Sequence, residues 1–240
     1  MVTASPLNKY YSMGITGIIY MVTTVFSLVV LIFSSSTVGF DYFQFTQQYQ
    51  PAACNSNPTP CKDPPAKLFT VHGLWPSNWN LPDPIFCKNT TITRQQIKNI
   101  QAQLKIIWPN VFNRTNHLVF WNKQWNKHGS CGYTTINNEI QYFETVIKMY
   151  ITKKQNVSKI LSKAKIKPEG KNRTRAEIIN AISISTNNMT PKLKCQKNNG
   201  TIELVEVTLC NDHNITKFIN CRHPYDPQSQ FFCPKINILY

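Results

Sequence analysis

The sequence predicts an α+β fold in which packed helices cover a sheet. Strand-like and helix-like segments are interleaved along the chain, but their connections lack the regular spacing of about 30 residues that βαβ units have. No repeat, low-complexity tract or linker divides the body of the sequence. A chain of 240 residues can bury a substantial core within one domain.

The N-terminal segment, residues 1–39, is predicted to be a signal peptide, with Met13 as the true start. Residues 13–33 are uncharged, and the small residues SSSTVG follow them. The run is long enough to span a membrane, so a retained anchor is the alternative. Because a polar, cysteine-bearing body comes next, a cleaved secretory signal is favoured. We therefore expect a mature domain over 40–240, with no stable membrane association.

The first predicted strand covers FDYFQFTQQYQ, residues 40–50. Phe43 and Phe45 share one face, and the polar residues that alternate with them share the other. This alternation is typical of a half-buried strand. A loop rich in proline and asparagine follows, in which Cys54 and Cys61 are near enough in sequence to close a small ring.

The second predicted strand covers KLFTVHGLW, residues 67–75, and contains a candidate catalytic histidine. His72 falls on the polar face of the strand, before Gly73, which permits a turn or bulge. An imidazole there can reach a cleft that Trp75 helps to shape. The alternative is a core histidine bonded to the backbone, and the strand pattern does not separate the two.

Later elements follow from the spacing of apolar residues. Helices are expected over 93–108, 138–155 and 174–183, a short buried strand over HLVFW at 117–121, a strand over TIELVEVTLC at 201–210, and a further strand in the tail from Gln230.

The stretch FWNKQWNKHGSC, residues 120–131, is interpreted as a helix with two different faces. At 100° per residue, one face carries Lys123, Gln124, Lys127 and His128, and the neighbouring face carries two tryptophans. A solvated basic helix end is the alternative, but it would not usually place tryptophans so close to its histidine. The pattern therefore favours a rigid anion site.

Charge and cysteine content bound the class of protein. The sequence has 26 basic and 11 acidic residues, a net charge of +15, which suits polyanionic partners such as nucleic acid, glycans or membrane surfaces. The alternative is that the charge serves solubility only, and charge alone does not separate the two. Its eight cysteines, an even number behind a signal peptide, predict four disulfides, and 105 pairings remain open. No CxxC pair is present, so a zinc ribbon is disfavoured.

Seven Asn-X-Ser/Thr sequons predict a secreted glycoprotein. They begin at Asn89, Asn113, Asn156, Asn172, Asn188, Asn199 and Asn214. At least some of these positions should lie in exposed loops.

Two histidines and a lysine suit the cleavage of a phosphodiester bond in RNA. One imidazole removes the 2′-hydroxyl proton and the other protonates the departing 5′-oxygen, and each transfer typically contributes about 10²–10⁴-fold. Lys127 and Gln124 can donate to the negative charge that develops on the five-coordinate phosphorus. This chemistry requires no metal or cofactor. Nearby lysines should lower the pKa values of the histidines and favour activity below neutral pH.

At these residues the chain resembles the T-two-type secreted ribonucleases. FTVHGLWPSN, residues 69–78, and FWNKQWNKHGSC are similar to the two active-site segments of that family in order and spacing, and the cysteine pattern agrees. The resemblance extends over 40–240. The basic charge, the sequons and the opening FDYFQFTQQYQPAAC are most similar to the style self-incompatibility ribonucleases of flowering plants.

The resemblance implies an antiparallel sheet with packed helices, and RNA cleavage through a 2′,3′-cyclic phosphate. His72 matches the family's proton donor, His128 its general base and Lys127 the lysine that stabilises the phosphorane. Positions that line the RNA site match Gln48, Asn110, Val111, Phe120, Lys123 and Gln124. The family's cysteine order implies the pairs Cys54–Cys61, Cys87–Cys131, Cys195–Cys233 and Cys210–Cys221. A monomer is expected.

Two positions depart from the commonest family pattern, because Lys123 and Gln124 replace a histidine and a glutamate. Glutamine cannot exchange a proton, although it can donate a hydrogen bond to phosphate. The two-histidine mechanism is retained, while its rate and pH optimum are left open.

For the style ribonucleases, the family role is the rejection of self pollen. The resemblance implies secretion into the style transmitting tract, uptake into the pollen tube cytoplasm and interception by pollen F-box proteins. It also implies a specificity segment near 79–96. Two alternatives stay open: a secreted ribonuclease of defence or nutrient scavenging, and a non-catalytic basic glycoprotein that binds RNA or glycan.

Overall fold

The computed structural model describes residues 39–55, 61–222 and 232–240. Residues Gly39–Tyr240 form one compact unit. The predicted signal peptide lies outside the described residues except for Gly39, and its prediction therefore stays untested. None of the helices in the described ranges is both long and apolar enough to cross a membrane.

Seven strands and six α-helices make up the described part of the chain. The strands are β1 (Tyr42–Tyr49), β2 (Phe69–Ser77), β3 (Asn172–Arg173), β4 (Lys192–Asn198), β5 (Thr201–Asp212), β6 (Phe218–Ile219) and β7 (Ile238–Leu239). The helices are α1 (Gln50–Asn55), α2 (Gln101–Ile107), α3 (His117–Lys127), α4 (Glu139–Ile151), α5 (Val157–Lys163) and α6 (Arg175–Ser185), with a 3₁₀ turn over Gly129–Cys131.

The strands form one sheet around the long strand β5. The order is β2-β1-β5-β7-β3, and β4 and β6 also pair with β5. Every pairing is antiparallel except that of β5 with β7, which is parallel. The predicted α+β class, with a mainly antiparallel sheet and packed helices, is confirmed.

Strand β1 is buried on both faces, so the expectation of a half-buried strand is wrong. It lies between β2 and β5, and Thr46, Gln47 and Gln48 are all at most 4% exposed. These polar groups have partners: the Thr46 hydroxyl is 2.8 Å from that of Thr208, and Gln47 Nε2 donates to the Gln155 carbonyl at 2.6 Å. The alternating polar residues therefore form an internal hydrogen-bonded layer. The sequence pattern alone does not distinguish such a layer from a face that is exposed to solvent.

The predicted strand over 117–121 is also wrong, because these residues begin helix α3. Trp121 and Trp125, four residues apart, are both buried and put one helix face into the core. A short apolar run can belong to either element type, and the burial of an i, i+4 pair decides for the helix. The helix expected over 93–108 is shorter than predicted, since only Gln101–Ile107 is α-helical.

Buried indoles join α3 to β2. The Trp121 Nε1 donates to the Trp108 carbonyl at 2.8 Å, and the Trp108 Nε1 donates to the His72 carbonyl at 2.9 Å. Both indoles are completely buried, so these bonds are shielded from water. The position of α3 is therefore coupled to the backbone of β2 at His72.

The structure contains the four implied disulfides. They are Cys54–Cys61, Cys87–Cys131, Cys195–Cys233 and Cys210–Cys221. The sequon positions Asn89, Asn172, Asn188, Asn199 and Asn214 are exposed, and Asn113 is half-buried. Asn156 differs, because it is 7% exposed and its side chain caps α5 by accepting from the Lys159 N–H. Of the seven positions, it offers the poorest access for a glycan.

Candidate active site

His72 is the extra residue of a β-bulge. On β2, Val71 pairs with Gln47 and Gly73 pairs with Thr46, so His72 has no opposite residue on β1. A bulge bends its strand and re-aims the inserted side chain, and such bulges are frequent beside active sites. The prediction that Gly73 permits a bulge agrees with this register.

The His72 side chain reaches over β1 to a carboxylate on β5. Its Nδ1 lies 2.7 Å from Oε1 of Glu206, whose other oxygen lies 3.5 Å from Nζ of Lys194 on β4. Glu206 is 8% exposed, whereas the His72 side chain is 31% exposed. The imidazole is therefore held from behind by a buried carboxylate and keeps an accessible side.

His128 terminates α3 as its C-cap, and its backbone N–H donates to the Gln124 carbonyl at 3.1 Å. The 3₁₀ turn that follows ends at Cys131, which is bonded to Cys87. Burial, then the charges of Lys127 and His72, lower the pKa of His128 to about 4. The predicted lowering is present in this histidine, but burial contributes more than the lysine does.

Trp75 lies against both histidine rings. Its ring centroid is 5.3 Å from that of His72 and 5.2 Å from that of His128. Its Nε1 donates to Oε1 of Gln124 at 3.2 Å, which leaves the two amide hydrogens of Gln124 for other acceptors. Although 56 positions separate them in sequence, the two imidazoles thus share one aromatic wall.

The lysines of α3 extend the positive charge to a neighbouring cavity. Lys123 and Lys127 are exposed and line a cavity of about 660 Å³ between α3 and the segment around Phe86 and Asn89. The Phe86 N–H donates to the Lys127 carbonyl at 3.0 Å, so this segment is fixed to the end of α3.

The other predicted RNA-lining residues have different exposures. Asn110 and Phe120 are half-buried, and Asn110 bonds through its backbone N–H to Nδ1 of His117 at 3.0 Å. Gln48 and Val111 are 4% and 1% exposed, so their side chains offer little surface to a ligand in this conformation. Their predicted RNA contacts stay predictions.

The predictions omitted Glu206, which the structure places in contact with His72. In LVEVT this glutamate looks like an ordinary outward residue of an alternating strand. A sequence signal for this contact was present, because Gln48 and His72 also fall on the polar faces of their strands. However, the order of the strands, which brings these faces together, cannot be predicted from any single segment of the sequence.

Comparison with known proteins shows the family of the chain. The model of the Ribonuclease T2 family matches residues 40–221. Ribonuclease S-6 of Pyrus pyrifolia is 68% identical, over 95% of this chain and 100% of that protein, and Ribonuclease S-7 of the same species is 70% identical, over 92% and 98%. The crystal structure of Japanese pear S3-RNase is 62% identical, covers 84% of this chain and 100% of its own, and has a TM-score of 0.80. The predicted family is confirmed: the chain is a ribonuclease and belongs to the Ribonuclease T2 family.

Proposed function

We propose that the chain cleaves single-stranded RNA with His128 as the general base and His72 as the proton donor. One observation carries this assignment: two imidazoles that contact the same indole have different surroundings. His72 bonds to a carboxylate, whereas His128 is half-buried beside a lysine. Paired titratable groups whose surroundings favour opposite protonation states are the usual signature of an acid and a base.

The base step uses the low pKa of His128. With a pKa of about 4, its imidazole is neutral near pH 7 and can accept the 2′-hydroxyl proton of the RNA. The 2′-oxygen then forms a bond to phosphorus, which yields the 2′,3′-cyclic phosphate as the bond from phosphorus to the 5′-oxygen breaks. His72 gives its proton to that leaving oxygen.

Donors on α3 stabilise the five-coordinate phosphorane. Lys127 supplies a positive charge, and Gln124 supplies the amide hydrogens that its bond to Trp75 leaves unused. No step in this sequence is assigned to a metal or a cofactor. Among the described residues, histidine, cysteine and acidic side chains form no cluster of three that could hold a metal ion.

High identity to pear S ribonucleases supports the predicted biological role. The chain acts as the style determinant of gametophytic self-incompatibility, secreted into the style and taken up by pollen tubes, where it degrades RNA unless F-box proteins intercept it. The predicted specificity segment 79–96 is suited to partner binding, because Trp79, Leu81, Ile85 and Phe86 are 36%, 69%, 50% and 65% exposed.

Two experiments test these assignments. The purified mature protein should cleave single-stranded RNA in the presence of EDTA, and His72→Ala or His128→Ala should lower kcat by at least 10²-fold, since each removes one proton transfer. Full activity of either variant would refute the two-histidine mechanism. Exchange of residues 79–96 with those of another S ribonuclease should change F-box binding, and unchanged binding would refute the specificity assignment alone.

A further inference from the structure

We propose that Glu206 is a positioning residue that orients His72 and stabilises its protonated form before proton transfer. The proposal deepens the proposed function and rests on it, because it concerns the histidine assigned as proton donor. Glu206 is outside the set of site residues that the family resemblance implied.

The position of Glu206 follows from strand register. Glu206 pairs with Gln48 on β1 and with Lys194 on β4, so the three side chains lie on one face of the sheet. His72 comes from β2, one strand further, and its bulge places it opposite no residue of β1. The resulting contact of 2.7 Å between Nδ1 and Oε1 is short, as expected for a charge-assisted hydrogen bond.

The carboxylate fixes which nitrogen of His72 is available to RNA. Burial alone would raise the pKa of Glu206, but the hydrogen bond and charge of His72, followed by Lys194, lower it below the usual value. An ionised carboxylate can only accept, so Nδ1 of His72 must be the donor. Nε2 is then left for the substrate, and it is the nitrogen that gives its proton to the 5′-oxygen.

A second buried glutamate on the same strand shows that this pairing is not a requirement of the fold. Glu203 is also 8% exposed, and its carboxylate accepts from neutral amides of Asn55, Gln196 and Asn198 at 2.9–3.2 Å. The protein therefore satisfies a buried carboxylate on β5 without using a cation. At position 206 the partners are instead a histidine and a lysine. In this arrangement the charge of the carboxylate affects how strongly His72 holds its proton.

The charged groups around His72 set the expected pH dependence. Glu206 faces it from β5, with Lys194 behind from β4, and His128 faces it across Trp75 from the end of α3. Glu206→Gln keeps an acceptor oxygen but removes the only negative charge of this set. We expect kcat/KM to fall about 10–100-fold, as for other supports of a functional histidine. The alkaline limb of its pH profile should move to lower pH, because the donor then loses its proton earlier.

Lys194→Met should shift the alkaline limb of the pH profile in the opposite direction. Removal of this cation leaves the carboxylate to His72 alone, so the alkaline limb should move to higher pH. A role of Glu206 in stability only would not move the limb in opposite directions in the two variants. Glu203→Gln, with equal burial on the same strand, is the matched control and should leave the pH profile unchanged.

A double-mutant cycle separates this proposal from the proposed function. In a His72→Ala background, Glu206→Gln should have no further effect on cleavage, because Glu206 acts through the imidazole. If His72→Ala is inactive and Glu206→Gln keeps the wild-type profile, the positioning role is overturned while the mechanism stands. If His72→Ala is fully active, the mechanism itself fails. Should Glu206→Gln not fold, the Lys194→Met shift decides, and its absence overturns the proposal.

Discussion

Gly73→Ala tests whether the position of the Trp75 indole supports catalysis. A Cβ at residue 73 would lie 2.1 Å from Nε1 of Trp75 and 2.6 Å from Oε1 of Gln124. Ordinary contact begins near 3.4 Å, so the indole must move by about 1.3 Å. Since Trp75 contacts both histidine rings and bonds to Gln124, this movement disturbs the proposed acid, the proposed base and a proposed phosphate donor together.

The expected size of the effect follows from that displacement. A misplacement of about 1 Å at an active site can cost about 10²-fold in rate, which corresponds to about 2.7 kcal/mol of activation free energy. We therefore expect Gly73→Ala to lower kcat/KM for a single-stranded oligoribonucleotide by about 10²-fold. Near-UV circular dichroism of the same samples measures whether the variant is folded.

Gly132→Ala is the control for the methyl group itself. Its Cβ would meet neighbours at 3.3–3.4 Å, which a shift of a few tenths of an ångström relieves. Activity close to wild type is expected. In a Trp75→Phe background, Gly73→Ala should cost less, because the nearest atom is gone. A folded Gly73→Ala protein with wild-type kcat/KM would refute the argument that the indole must stay in place.

Three further predictions concern α3 and the turn that follows it. Because the pKa of His128 is lowered to about 4, kcat/KM should decrease only below about pH 4. Lys127→Met removes a charge that lowers this pKa, so it should move the acid limb of the pH profile to higher pH and should also lower kcat. Gln124→Glu adds a negative charge beside His128, so it should also raise the acid limb in pH–rate measurements, and an unmoved limb would contradict the electrostatic reasoning. Replacing Cys87 and Cys131 by serine removes a cross-link between residues 44 apart, which should lower the free energy of unfolding in denaturant titrations by about 4 kcal/mol in the loop-entropy model.

The segments that hold His72 and His128 were predictable because their information is local. KLFTVHGLW alternates clearly, and Gly73, which follows His72, permits the bulge that the register shows. The helix with Lys127 and His128 is visible from i, i+4 spacing, with tryptophans on the buried side. Segments of this kind contain their own periodicity and need no partner to be recognised.

The error over 117–121 and the missed strand β4 have a common physical origin. HLVFW has five residues, too few to show a helical period, and its type is set by the burial of Trp121 in the core. Lys192–Asn198 alternates Leu193 and Cys195 with polar residues, but its lysines and short length are typical of an exposed segment. In both cases tertiary contacts determine the type of secondary structure, because the local sequence preference does not.

The net charge of the chain, +15, cannot explain which of the two histidines acts as the acid and which as the base. At physiological ionic strength the Debye length is about 8 Å, so most surface lysines are screened from the cleft. Groups in direct contact are screened far less when they are buried. The nearest charge to His72 is the Glu206 carboxylate at 2.7 Å, whereas the pKa of His128 is lowered by its own burial and by Lys127. The two imidazoles therefore differ in their local contacts: a carboxylate from β5 bonds to His72, whereas a lysine lies next to the half-buried His128. The first of these contacts comes from a strand that lies outside the two segments that hold the histidines.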